Sequence, residues 1–193
     1  MKKSIYSVAL ILFSSSLLVA QVKWKADPAN SNVQFEVTHL AISSVTGKFT
    51  SIDCTINSPK KSFDGAVIEA KVSVNDIATG NLTRDKHLKE DDFFNNSEFP
   101  TMVFKSTSFK KASTTRYELS GNLTIRDVTK EISFPAEYSG MINLGEKTIS
   151  VFKAEFTINR FDYNLKWDDT LDTGSLVVGE DVFVSLSLEF VKQ

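Results

Sequence analysis

The stretch DVFVSLSLEFVK, residues 181–192, sets Val182, Val184, Leu186, Leu188 and Phe190 at every second position. Successive side chains of a β-strand point to opposite sheet faces, so this run is a strand with one apolar face. The same period of two recurs along the chain. SNVQFEVTH (31–39) aligns Val33, Phe35 and Val37, and AVIEAKVSV (66–74) aligns Ala66, Ile68, Ala70, Val72 and Val74. RYELSGNLTIR (116–126) aligns Tyr117, Leu119, Gly121, Leu123 and Ile125. EISFPAEYS (131–139) aligns Ile132, Phe134, Ala136 and Tyr138, and VFKAEFTINR (151–160) aligns Phe152, Ala154, Phe156 and Ile158. With TGKFTSIDCTI, TMVFKSTSF and a short VKWKAD near the start, the chain reads as about eight or nine strands.

Turn-forming clusters separate these runs: DPANSN, NSPKKSFDG, KKASTT, GMINLGEK and LDTGSLVVGED. There is no repeat period and no strand–helix–strand rhythm, which argues for antiparallel pairing. A meander of this kind removes its exposed edges by closing into a barrel. Phenylalanine is the outlier of composition, with 15 residues against 3 methionines and 2 tryptophans, many of them at inward-reading positions. The interior of an eight-stranded barrel is either filled by side chains or holds one slender ligand. Composition alone leaves both open.

One segment breaks the pattern. TGNLTRDKHLKEDDFFNNSEFP, residues 79–100, packs charge densely and contains one of only two histidines. Good helix formers without proline predict a helix over Asn81–Phe94, capped by Asn81 or Thr83 and ended before Pro100. Asp85 with Lys89, and Lys86 with Glu90, stand four apart as acid–base pairs. Arg84, His87, Leu88 and Asp91 fall on one side. A single helix inserted in a β-meander is placed to cover one barrel mouth, with Phe93 and Phe94 turned inward. Arg84 and His87 then read either as a polar head-group site or as anchors of the helix to the rim.

The bounds are simple. MKKSIYSVALILFSSSLLVA, residues 1–20, has two lysines, an apolar run and a terminal small residue, and reads as a secretory signal peptide. Residues 21–193 are then one exported domain, expected to be soluble in the periplasm. With 22 basic against 24 acidic residues there is no basic excess to hold nucleic acid. A single cysteine, Cys54, rules out an internal disulfide framework and shares a strand face with Ile52 and Ile56, as a small buried residue would. With only His39 and His87 available, and no nucleophile elbow, a hydrolase has little to work with. No metal site, phosphate loop or dinucleotide fingerprint is spelled out, so neither metal nor cofactor is expected.

Four stretches carry a resemblance: VTHLAISSVTGKF (37–49), TGNLTRDKHLKEDDFFNNSEFPTMVFKST (79–107), GNLTIRDVTKEISF (121–134) and INRFDYNLKW (158–167). Together they resemble the YceI-like family of lipid- and polyisoprenoid-binding proteins, over essentially the whole chain after residue 20. The resemblance implies an extended, antiparallel, lipocalin-like β-barrel with an apolar lumen and a helix near one end. It also implies export to the periplasm and a long isoprenoid or similar amphiphile in the lumen. The chain departs from the family at two turns: Asn164 and Asp127 each stand where the family often has glycine.

Magnitude favours binding. Each buried methylene contributes roughly 0.8 kcal/mol, so ten supply about 8 kcal/mol before the chain is ordered. The lumen candidates are Phe35, Phe49, Phe93, Phe94, Phe104, Leu123, Phe134, Phe156 and Phe190; the head-group candidates at the rim are His39, Arg84, His87 and Arg160. The expectation is a non-enzymatic carrier of a long amphiphilic lipid, with room at strand edges or the rim for a homodimer. Two rivals stand beside it: an enzyme or accessory factor acting on isoprenoid lipids, and a structural stress protein with a filled barrel.

Overall fold

The structure, a computed structural model, describes residues 21–59 and 62–193. The signal-peptide reading of residues 1–20 lies outside the described residues. Eleven strand segments follow in chain order: β1 Val22–Ala26, β2 Asn32–His39, β3 Ser43–Phe49, β4 Ile52–Ser58, β5 Val67–Ser73, β6 Ile77–Ala78, β7 Thr101–Lys111, β8 Arg116–Ile125, β9 Val128–Leu144, β10 Lys147–Asn159 and β11 Val178–Lys192. One α-helix, α1 Leu82–His87, lies between β6 and β7.

The eleven segments make eight staves. β1 pairs with β4 while β2 pairs with β3, so β1 and β2 are one path broken at the turn after Ala26. There Asp27 accepts from the Ala29 amide and the Asn30 side chain, as aspartate does in tight turns. β3 and β4 are the next stave, bent at Thr50 and Ser51. β5 and β6 are the third, bent by a 3-10 turn at Val74–Asp76. From β5 the order runs through β7, β8, β9, β10 and β11, every pair antiparallel. β11 closes the ring with both halves of the first stave: Val182–Ser187 lie beside β2, and Phe190–Lys192 beside β1. The fold is an eight-stranded, antiparallel, closed β-barrel.

Alternation assigns faces as the sequence suggests. Trp24, Val33, Ile56, Ile68, Leu119, Phe134, Phe152 and Phe190 are buried inside, while Lys23, Gln34, Asp53 and Glu118 face out. Gly121 is needed where it stands: a Cβ there would lie 2.4 Å from the Phe104 ring and 2.6 Å from a carbonyl of β7.

The helix is shorter than expected. Asn81 caps it, accepting from the amides of Thr83 and Arg84. It stops at His87 rather than running to Phe94. Neighbouring helical residues diverge by roughly 100°, yet Phe93 and Phe94 both reach the barrel interior. The chain manages this with turns: the Phe94 amide bonds the Leu88 carbonyl, the Asn95 amide bonds the Glu90 carbonyl, and Asn95 takes a left-handed φ of 47°. Asp91 therefore does not share a helix face with Arg84. Asp85 does not turn to Lys89; it is buried and accepts from the amide and hydroxyl of Thr79, at 2.9 and 2.6 Å.

Candidate functional site: an apolar cavity and its cap

The barrel interior divides into two halves. The half beneath the β4–β5, β7–β8 and β9–β10 turns is solid. Trp24, Phe63, Phe109, Tyr117, Tyr138, Phe152 and Phe190 fill it ring against ring. The other half holds a cavity of about 220 Å³. Its wall is almost wholly hydrocarbon.

Eight of the nine lumen candidates line that cavity. Phe35 comes from β2, Phe49 from β3, Phe104 from β7, Leu123 from β8, Phe134 from β9 and Phe156 from β10, while Phe93 and Phe94 descend from the segment after α1. Phe134 and Phe156 stack at 4.2 Å, and Phe49 meets Phe94 edge to face at 6.0 Å. Phe190 does not line it. It shares the inward face of β11 with Leu188 and Leu186 but falls in the solid half, 6.2 Å from the Phe152 ring. Val33, Val37, Leu88, Met102 and Leu165 also line the wall without having been singled out. Val33 and Val37 were legible from the alternation, whereas Leu88 and Leu165 sit where no period applies. Cys54 is part of the wall, 1% exposed, and burial pushes its thiol up to about 12.

The four rim candidates do not converge on one site. Arg84 donates from Nε to the Thr79 hydroxyl at 2.8 Å and from Nη2 to the Thr79 carbonyl at 3.0 Å, tying the helix to its own entry loop. His87 bonds Asp92 at 2.8 Å and meets the rings of Phe93 and Trp167 edge on, at 5.0 and 5.8 Å. His39 ends β2 opposite Val178, half-buried and off the cavity wall. Arg160 alone reaches the cavity wall. It is 2% exposed and donates to the carbonyls of Gly179, Leu165 and Val178 at 2.8, 2.7 and 2.9 Å. Its guanidinium lies 4.1 Å over the Phe161 ring. Burial lowers its pKa, and the charges of Asp168 and Glu180 oppose that shift.

Arg126 is the residue that the sequence reading missed. From the β8–β9 turn, at φ 53°, its Nη1 points at the carbonyls of Asp91, Phe93 and Asn164, each within 2.8 Å. The amides of Lys166 and Trp167 bond the Asp92 carbonyl, and Trp167 stacks on Phe93 at 5.6 Å. Three segments distant in sequence are thus sewn into one cap over the hollow half. No periodicity announces this: the signal was an arginine in a tight turn, where glycine or asparagine is the usual choice. The two departures from the family pattern meet in this cap. Asn164, left-handed at φ 59°, donates to both carboxylate oxygens of Asp127 at 3.1 Å, and that bond is the main reason the Asp127 pKa is lowered.

The cap also spans a gap in the stave wall. β6 pairs only with Lys48 and Phe49, and beyond it Ser43–Gly47 of β3 are paired on the β2 side alone. Thr79 stands next to Gly47 there, and Phe94 next to Phe49. Among the described residues no helix is long and apolar enough to cross a membrane, and no three His, Cys, Asp or Glu side chains converge as metal ligands would.

The barrel fold is shared by solved structures. BcnA of Burkholderia cenocepacia overlays with a TM-score of 0.71 at 19% identity, covering 85% of this chain and 98% of that one. The YCEI protein of Campylobacter jejuni overlays at 0.65 with 26% identity, covering 79% and 87%. A polyisoprenoid binding domain from Saccharophagus degradans overlays at 0.64 with 16% identity, covering 86% and 97%. UPF0312 proteins of Staphylococcus aureus are 31% identical over 166 residues, 85% of this chain and 94% of theirs. A YceI-like domain matches residues 24–190, from the first buried tryptophan to the last buried phenylalanine of the barrel, and the chain belongs to the YceI-like family.

Proposed function

We propose that this protein is an exported carrier or buffer that holds the hydrocarbon tail of an amphiphilic lipid in the hollow half of its barrel, without reaction. The observation that carries the reading is the cavity itself: about 220 Å³ of space with a hydrocarbon wall. A protein interior is close-packed, and a void of this size leaves wall atoms without dispersion partners. A ligand tail supplies those partners and leaves water. The described binding of polyisoprenoid by the Saccharophagus degradans neighbour supports the same class of ligand. The residue pattern of Met1–Ala20 supports export to the periplasm. The polar head belongs at the cap, where Arg160 is the one rim candidate on the cavity wall; His39, Arg84 and His87 are the more distant candidates.

Mass spectrometry of denatured protein, purified from cells that export it, tests the reading. Lipid is expected to be released in near-stoichiometric amount. Phe104→Asp and Phe156→Asp, each placing a charge on the wall, are expected to abolish that co-purification, and Arg84→Ala to leave most of it. Normal lipid content in both folded phenylalanine variants would sink the lumen assignment.

A further inference from the structure

Neither end of the barrel offers the cavity an easy way in. The far mouth is filled by an aromatic plug around Phe152, with Phe63 at 4.9 Å and Tyr138 at 5.2 Å. At the near mouth, lifting the cap breaks three hydrogen bonds of Arg126 and two from the amides of Lys166 and Trp167. The gap in the stave wall is different. We propose that the amphiphile enters and leaves the cavity sideways, through the gap beside Gly47, with the groove outside it as a landing site and the Phe35 ring as the door. This rests on the lipid-binding reading and adds to it the route by which the tail is loaded.

Three observations meet at this gap. The first is the backbone. Ser43–Gly47 of β3 pair with β2 alone, and among the described residues no backbone hydrogen bond crosses from them to the Thr79 side. A wall closed there by side chains opens by turning them, with no ladder to break.

The second is Phe35 itself. Its row on β2 faces inward, and Val33 and Val37 are 7% and 9% exposed, yet Phe35 between them is only half-buried. The ring leans across Gly47: its Cζ lies 2.3 Å from where a Gly47 Cβ would stand, and the Thr79 methyl lies 2.9 Å from the same point. Glycine is what lets the ring reach the free edge of β3. Rotation of one half-exposed side chain is also far faster than release of a hydrogen-bonded segment.

The third is what lies outside. Gln34 and Phe35 border both the cavity and a groove of about 360 Å³ on the outer face. The groove is itself amphiphilic. Gln34, Thr46 and Lys48 offer amide, hydroxyl and ammonium, while Phe183, 42% exposed, offers an aromatic face. Phe183 pairs with Glu36, the residue after Phe35, so a tail resting on it lies beside the door.

Uptake of a long-chain fluorescent polyene fatty acid by the full exported protein, followed by stopped flow, and its release into excess phosphatidylcholine vesicles read the route. Gly47→Cys with Thr79→Cys places two thiols within disulfide reach across the gap. Cys54, 1% exposed, does not compete. The Phe35 ring must turn aside in either redox state, so the contrast between oxidised and reduced forms of this one variant isolates the staple. Oxidation is expected to slow uptake and release by about tenfold or more, and reduction to restore both. Phe35→Ala is expected to speed both by about tenfold, so that affinity changes far less than either rate. Phe183→Ser should slow both by about threefold. Equal rates in the oxidised and reduced forms overturn the side route. Faster release from Phe35→Ala with unchanged uptake overturns the door, because it makes the ring a wall contact only. Unchanged rates in Phe183→Ser overturn the landing site. Failure of the wild-type protein to take up the probe, with no lipid co-purified, overturns the lipid-binding reading itself.

Discussion

Phe152 and Phe156 stand four residues apart on the same inward face of β10, and nothing in their local sequence separates them. Phe152 has five aromatic neighbours and is packed on all sides. Phe156 stacks on Phe134 alone and turns its other face to the cavity. The difference lies across the axis. Opposite Phe152 stands Phe63, brought in by a loop; on the Phe156 side the cap closes the mouth from above without filling it. Period-two alternation decides inside from outside, and the residue delivered from the opposite wall decides filled from hollow.

The comparison breaks most visibly under truncation. Phe152→Ala should destabilise by about 4 kcal/mol, because it removes a ring from a filled layer and leaves a cavity that its neighbours cannot collapse into. Phe156→Ala should cost about 2 kcal/mol, since its ring already borders the cavity. Urea unfolding of the two variants measures the gap. Equal losses would mean that the hollow half is packed as tightly as the plug. The cap should come next. Arg160→Met keeps the volume but orphans the buried Leu165 carbonyl and the part-buried carbonyls of Val178 and Gly179, at a cost of about 2–3 kcal/mol. The loss should be local, appearing as faster amide exchange around Leu165 and Val178 while the plug strands keep their protection.

The two halves also differ in how far they could be read in advance. The wall was legible: Phe35, Phe104, Phe134 and Phe156 fall inside because alternation fixes their face. Phe190 obeys the same rule and lies in the plug instead, because axial position depends on stave register, and register is set by pairings between distant segments such as Phe190 with Ala26. Phe63 stands within a polar turn, NSPKKSFDG, and a lone aromatic there is the available clue to the filled half. The cap was legible in its location but not in its bonds. Phe93 and Phe94 were placed inward, but their adjacency forbids the continuous helix that propensity suggested. Arg126 and Arg160 answer carbonyls left over by irregular backbone, which no pattern in the chain encodes.

Cys54 reports on the wall from another direction. Its thiol ionises near 9 when unfolded and near 12 in the barrel, so deprotonation favours the unfolded chain. The contribution of Cys54 should therefore be constant below about pH 9 and be lost between pH 9 and 12. Tyr117 and Tyr163, whose pKa values burial also raises, add to the same slope. Cys54→Ala should flatten part of it, as read by melting temperature across that range. Labelling by a thiol reagent at pH 8 should follow global unfolding. Rapid labelling of the folded protein would mean that the cavity admits water and reagent freely.

The smallest expected effect concerns the cap alone. Asn164 and Asp127 replace two positions where glycine is common in the family, and they bond each other. If each is there for the other, Asp127→Ala should lower the urea midpoint of the natural chain and have no effect once Asn164 is glycine. Glycine tolerates the left-handed φ of 59° without strain but offers no amide to hold a carboxylate. The Asp127 pKa is depressed in the fold, so its contribution is present at neutral pH. It should fade as pH falls below the ordinary carboxylate value of about 3.8. A coupling that persists in acid would assign the effect to turn geometry rather than to the charge-assisted bond. Since both residues border the cap and neither touches the plug, the same pair of variants should leave the Phe152 layer unaltered. A change in near-ultraviolet signal from the stacked rings of the plug would mean that the two halves are coupled through the barrel wall.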